Sequence, residues 1–246
     1  GWLTSHGEEI STAAGIAAVL GGKSATAVHQ LASGRFKAIP LNALTEEEMA
    51  KNTPDQELYT KSKVAILGEV DAFLSHSWSD DPKEKWAAIT EWRDEFRKAN
   101  NGREPNVWID KCSIDQRDIE ANLTCLPIFL AGCQRLLVLC GDTYIQRLWC
   151  VMELFVFLEM GGLPDNIELV MLPSRDSGRT SLKDRFRGFD ACNAKCYSED
   201  DTQRLLGIIE AGFGDLRSFN ELVREVLVTT STSGPQDSTA GLGLSD

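Results

Sequence analysis

Leu136 to Cys140 is an uninterrupted apolar run closed by Gly141, and Gln146 to Met160 after it is a helical stretch that is apolar on nearly every side. A continuous apolar strand suits the middle of a parallel sheet buried on both faces, since a strand with one wet face would alternate. The helix is expected to stop at Gly161 and Gly162. Leu148, Val151, Met152, Leu154 and the run Phe155 to Leu158 leave it no broad polar face, so it must lie against the sheet. Glu153 breaks that pattern. It lies one turn after Trp149, so the ring and the carboxyl project from one helical face, close to the loop that ends the strand. Two readings stay open for it: a structural ion pair, with Arg147 or Arg135 as partner, or a functional carboxylate.

At 246 residues the chain is long enough for one ordinary domain with extensions. Its formal net charge of −12 argues against a broad basic face and hence against a general nucleic-acid binder. No apolar run reaches membrane-spanning length; Ala13 to Leu20 is too short and ends at Gly21 and Gly22. The first residue is Gly rather than Met, so a longer parent chain is expected. Seven cysteines, among them Cys125, Cys133, Cys140 and Cys150 inside apolar runs, read as reduced core thiols of an intracellular, cytoplasmic protein. Cys192 and Cys196 form a close pair with no second pair and no histidine near, so no metal site is expected. Gly22-Lys23-Ser24 is not a phosphate loop, because the first glycine of that motif would fall on Ala17.

Residues 1–63 read as an extension, helical over Ile10 to Leu20 and again from a capped start at Thr45. Over 64–228 strands and helices alternate. Glu69 to Ser75, Asn106 to Asp110, Leu136 to Cys140 and Ile167 to Leu172 are the expected strands, with a weak fifth at Cys196 and Tyr197. Asp81 caps the first intervening helix, with Pro82 at its first position, and Trp86, Ile89, Trp92 and Phe96 form its apolar face. Leu123 to Gly132, Ser181 to Phe189 and Thr202 to Val228 are the other helical stretches, and Thr229 to Asp246 is polar enough to be a disordered tail. The alternation predicts an α/β fold with a five-stranded, mostly parallel sheet and helices on both faces. Ligands of such sheets collect at the carboxyl ends of the strands. That rule gathers Ser75 to Trp78, Asp110 to Asp115 and Gly141 to Tyr144 into one place, with Trp149 and Glu153 just behind them. His76 is there either as a proton-transfer group or as an ordinary hydrogen-bonding residue.

Two of these stretches resemble a known family. DAFLSHSW at 71–78 is similar to the opening strand of the TIR (Toll/interleukin receptor) domain, and LLVLCGDTYIQRLWCVMEL at 136–154 is similar to its third strand and following helix. The resemblance spans residues 64–228 and implies a flavodoxin-like three-layer fold. In the family's enzymatic members the helix carries a glutamate that cleaves NAD+ between nicotinamide and ribose, and Glu153 falls on that position. By the same resemblance Trp149 borders the pocket and Phe73, Ser75 and His76 line it. Asp110 and Tyr144 join them at the strand ends, and Asp110 to Gln116 match a mobile loop that closes over the ligand and meets a second protomer. NAD+ would be the substrate with no further cofactor. Activation would come through self-association by TIR–TIR contacts, or contacts with other TIR proteins, in a signalling or immune-type response. Such chemistry needs few parts: the leaving group is neutral, and one carboxylate can stabilise the oxocarbenium-like ribose. The alternative implied by the family's other branch is a non-enzymatic TIR interaction module, and a third reading is a nucleoside-processing enzyme of similar topology. The loop KCSIDQRDIEAN lacks the arginine and proline pattern of animal receptors and FNELV lacks their Phe-Trp pair, which counts against a conventional animal adaptor.

Overall fold

The computed structural model describes residues 24–51, 55–115, 117–118, 122, 124–159, 162, 164–173, 182–196 and 198–232. The helix expected over Ile10 to Leu20, Gln116, Gly161, Tyr197 and residues 233–246 lie outside them. The chain enters through α1 (Ala25–Arg35), β1 (Lys37–Pro40), α2 (Glu46–Ala50), α3 (Gln56–Lys61) and β2 (Lys63–Val64). It continues with β3 (Ala72–His76), α4 (Pro82–Ala99), β4 (Asn106–Trp108), α5 (Asp110–Ser113), α6 (Leu126–Ala131) and β5 (Leu136–Cys140). The last part holds α7 (Leu148–Glu159), β6 (Ile167–Met171), α8 (Leu182–Arg187), α9 (Glu199–Phe213) and α10 (Leu216–Thr232). The final helix therefore carries the chain beyond Val228, where the expected tail would begin.

The architecture is α/β, around a six-stranded sheet of order β2-β1-β4-β3-β5-β6. β4, β3, β5 and β6 are parallel to one another, whereas β1 runs antiparallel to both β4 and β2. This corrects the five-stranded expectation in two ways. The extension supplies β1, which covers the otherwise open edge of β4, and its last residue, Lys63, begins β2, which pairs with β1 in turn. Cys196 forms no strand: its neighbour Lys195 bridges Arg147 and bonds the backbone of Gln146 and Leu148, so that segment is tied to the start of α7 instead of to β6.

Strand alternation divides the interior. Leu136, Val138 and Cys140 of β5, with Phe73 of β3, join one core cluster together with α6, α7 and α10. Leu137, Leu139, Ala72 and Leu74 join the other, against α2, α3 and α4. α7 forms because its residues are apolar nearly all round and find cover on both sides: Phe155 meets Phe219 of α10 edge to face at 5.4 Å. α4 starts as its sequence demands, with Asp81 Oδ1 accepting from the amides of Lys83 at 2.8 Å and Glu84 at 3.2 Å. Its buried face is Lys85, Ala88, Ile89, Trp92 and Phe96, rotated slightly from the expected one, and Trp86 is only half-buried. The capping box at Thr45 and Glu48 is present as expected.

At the amino-terminal edge of the parallel strands, the buried carboxylate of Asp71 accepts two bonds from Arg103, at 2.8 and 2.6 Å, and one from the Asn106 amide at 2.9 Å. That clamp fixes the register of β3 against β4 at the end opposite the cavity described below. Cys112, Cys125, Cys133, Cys140 and Cys150 are buried free thiols, and burial pushes the Cys112 thiol up to about 12. Among the described residues no helix is long and apolar enough to cross a membrane.

Candidate functional site

β3 lies between β4 and β5, so the chain leaves it to one side through α4 and returns to the other through α6. A reversal of this kind opens a crevice at the carboxyl ends of the strands. There the structure has a cavity of about 220 Å³. Its walls come from the end of β3 (His76 and Trp78), the end of β4 (Trp108 and Asp110) and the start of α7 (Trp149 and Glu153). Ile114, Leu126, Arg147 and Cys150 complete the lining.

Glu153 is half-buried and borders this cavity. Its carboxylate accepts a bond from Ser75 Oγ at 2.6 Å; Ser75 in turn lies 2.8 Å from Tyr144 Oη, which donates to the Cys150 carbonyl at 3.1 Å. Among the described residues no cation pairs with Glu153. Arg135 is bound to Glu168 instead, while Arg147 lines the cavity without an ion pair to the carboxylate. Burial therefore dominates and pushes the Glu153 carboxyl up to about 8; the Ser75 hydroxyl pulls down and the Asp110 charge adds to the rise. Asp110 goes the other way. Burial opposes its ionisation, but His76, the Trp78 indole and the Lys111 amide outweigh that and hold it below the usual carboxylate range. Two carboxyls in one cavity with opposite shifts are the pattern expected of a site whose surroundings give the two groups different roles.

The loop after β3 is held by charge buried under it. Lys85 is 1 % exposed and donates to the carbonyls of Ser77 at 2.8 Å and Trp78 at 3.3 Å; burial pushes its ammonium down to about 8. Lys111 of α5, also buried, donates to the carbonyls of Glu48, Met49 and Lys51 at the end of α2. Residues from the extension thus anchor the segment that carries Asp110. Across the mouth, Asp80 Oδ1 accepts from the Thr143 amide at 2.8 Å and its hydroxyl at 2.7 Å, joining the loops after β3 and β5. Gly141 leaves room for that carboxylate: a methyl group there would sit 2.5 and 2.7 Å from its oxygens. Gly141→Ala is expected to displace Asp80 from the Thr143 pair and to cost about 2–3 kcal/mol, a fall of roughly 5–10 °C in melting temperature. A calorimetric melt matching the wild type would show that the loop relaxes freely.

The residues expected at the site lie at different depths from the cavity. Glu153, Trp149, His76 and Asp110 border the cavity. Ser75 stands behind Glu153 and touches it; Tyr144 is fully buried one step further back. Phe73 is fully buried and stacked on Trp108, with ring centroids 4.2 Å apart and planes at 12°, so Trp108 presents the aromatic wall and Phe73 backs it. Trp108, Ile114 and Leu126 were not legible as wall residues, because their apolar patterns are those of any core. Lys85 had a readable signal: it lies three and four residues before Ala88 and Ile89, on the buried face of α4.

No protein-family model and no curated protein matches this chain.

Proposed function

We propose that the chain is an NAD+ glycohydrolase of the TIR kind, cleaving the bond between nicotinamide and ribose in the cavity bordered by Glu153. The observation that carries this reading is a half-buried carboxyl with no cationic partner among the described residues, held by a serine hydroxyl in a cavity walled by indole rings at the carboxyl ends of parallel strands. The resemblance of residues 71–78 and 136–154 to the family supplies a reaction that needs such a group. On this reading the four parallel strands and their helices correspond to the flavodoxin-like core, and β1 and β2 are an addition at its edge.

A cavity of about 220 Å³ is smaller than the roughly 300–1,000 Å³ that encloses a drug-sized ligand. It therefore takes the nicotinamide riboside end, with the rest of the dinucleotide outside. The indoles of Trp108 and Trp149 line the space that the cationic pyridinium enters, and aromatic walls favour a cation. As the glycosidic bond lengthens, positive charge spreads over the ribose while nicotinamide becomes neutral. Ionised Glu153 stabilises that charge or orients the ribose hydroxyls, and Asp110 adds a second negative charge in the same small volume. Ser75 and Tyr144 hold the Glu153 carboxyl in place.

The test is direct. Purified protein, first dilute and then clustered on a scaffold, is incubated with NAD+ and the products are separated. Nicotinamide is expected in equal amount with ADP-ribose or its cyclised form, faster in the clustered sample. Protein that binds copies of itself yet never consumes NAD+ would sink the enzymatic reading and leave the interaction module.

A further inference from the structure

Resting on the reading of the cavity as a glycosidic-bond site, we propose that His76, oriented by Asp110, is the general base for the second half of the reaction. It takes the proton from the oxygen nucleophile that attacks the ribose C1′.

The His76 side chain is only 2 % exposed and lines the cavity; among the described residues its Nδ1 has no hydrogen-bond partner, while Nε2 faces the Asp110 carboxylate. A buried imidazole nitrogen left unpaired is costly unless a ligand meets it, because it has lost its water. Nε2 lies 3.3 Å from Asp110 Oδ1, within ion-pair reach. Asp110 is itself fixed: the Trp78 indole donates to Oδ2 at 2.5 Å and the Lys111 amide to Oδ1 at 2.7 Å. On the other side, Cys150 Sγ contacts the His76 carbonyl at 3.4 Å, so the backbone of the histidine is held against α7. An imidazole on a cavity wall, flanked by a fixed carboxylate and with one nitrogen unclaimed, is arranged to accept a proton and to be stabilised once it has done so.

The division of labour follows from charge. If Glu153 took the proton it would lose the negative charge that faces the ribose cation. With His76 as acceptor, the C1′–N1 bond breaks and its electron pair leaves on nicotinamide. The oxygen of water then bonds to C1′, and the water proton passes to His76 and on to solvent. NAD+ and water give ADP-ribose, nicotinamide and one proton. A ribose hydroxyl in place of water gives a cyclised product with the same transfer.

A pyridine base offered as a competing nucleophile separates this role from mere structure. Its ring nitrogen carries no proton, so exchange of nicotinamide for the added base needs no general base, whereas hydrolysis does. In His76→Asn the ratio of exchange to hydrolysis is expected to rise at least about tenfold over wild type. In Asp110→Asn, where the imidazole remains, the rise is expected to be smaller. The ratio is read within one sample, so a partly unfolded variant reports it as well as a fully folded one. Wild-type turnover with an unchanged ratio in His76→Asn overturns the inference and leaves the glycohydrolase reading standing. Wild-type protein that releases no nicotinamide removes both.

Discussion

Glu153→Gln is expected to lower nicotinamide release at least about a hundredfold and, above neutral pH, to make the protein more stable than the wild type. Both effects follow from the carboxyl's place beside the cavity. Gln keeps the shape and still accepts the Ser75 hydroxyl bond, but carries no charge toward the ribose. The stability effect has a definite sign. Burial raises the Glu153 carboxyl from 4.5 in an open chain to about 8 in the fold. Below the lower value both states are protonated and the fold loses nothing. As pH rises from there, the unfolded chain gives up its proton while the fold retains it, so stability falls by up to about 1.4 kcal/mol per unit. The loss levels off once the folded carboxyl also ionises, near 8. Gln escapes the whole slope. Allowing for the side of Glu153 open to the cavity, the variant gains on the order of 2 kcal/mol at about pH 9, or roughly 4–8 °C in melting temperature. The gain shrinks to nothing at about pH 4. In the wild type, kcat/KM for NAD+ is expected to rise with pH and flatten near 8 if, as proposed, the ionised carboxyl is the working form. Parallel melting curves at acid and alkaline pH would contradict the assignment, as would a glutamine variant that turns over normally.

Glu153 was legible in the sequence for the same physical reason that makes it unstable there: it is a carboxylate in a helix with no polar face. The strand before that helix and the cap at Asp81 were equally plain, since an uninterrupted apolar run and a capped, periodic helix have few other uses. β1 and β2 were not. KAIP and KV are too short to show a period of two, and their pairing, of β1 with the edge of β4 and of β2 with β1, is encoded by no local pattern. The cavity wall was legible only in part. Alternation correctly puts Val107 and Trp108 on opposite faces of β4, but not which face borders open space. That depends on where α6 and α7 start, and hence on packing between segments distant in the chain. The family resemblance points to Phe73 as a pocket residue; the stacking of Phe73 behind Trp108 shows how one step in depth separates a wall residue from its support.

Trp108 is where fold and site are hardest to separate, and its two simplest substitutions are expected to part them. The indole is fully buried, stacked on Phe73 at 4.2 Å and tilted against Phe129 at 5.8 Å, with one border on the cavity. Trp108→Ala removes that contact and merges the void with the existing space. The expected cost is about 3–5 kcal/mol, which lowers the melting temperature by roughly 10–15 °C. Trp108→Phe keeps a ring against Phe73 and fills most of the volume, so its cost is held to about 1 kcal/mol. What it removes is the indole Nε1, a buried donor without a hydrogen-bond partner among the described residues. If that donor serves only the core, losing it costs nothing and nicotinamide release is unchanged. A donor left unpaired beside a cavity is better explained by a ligand acceptor, for which the nicotinamide carboxamide or a ribose hydroxyl has the chemistry. Trp108→Phe is therefore expected to raise KM for NAD+ about fivefold to tenfold with kcat nearly intact, the signature of binding lost equally in ground and transition states. Steady-state kinetics on the phenylalanine variant, alongside its melting curve, decides between the two roles: an unchanged KM assigns Trp108 to the core alone.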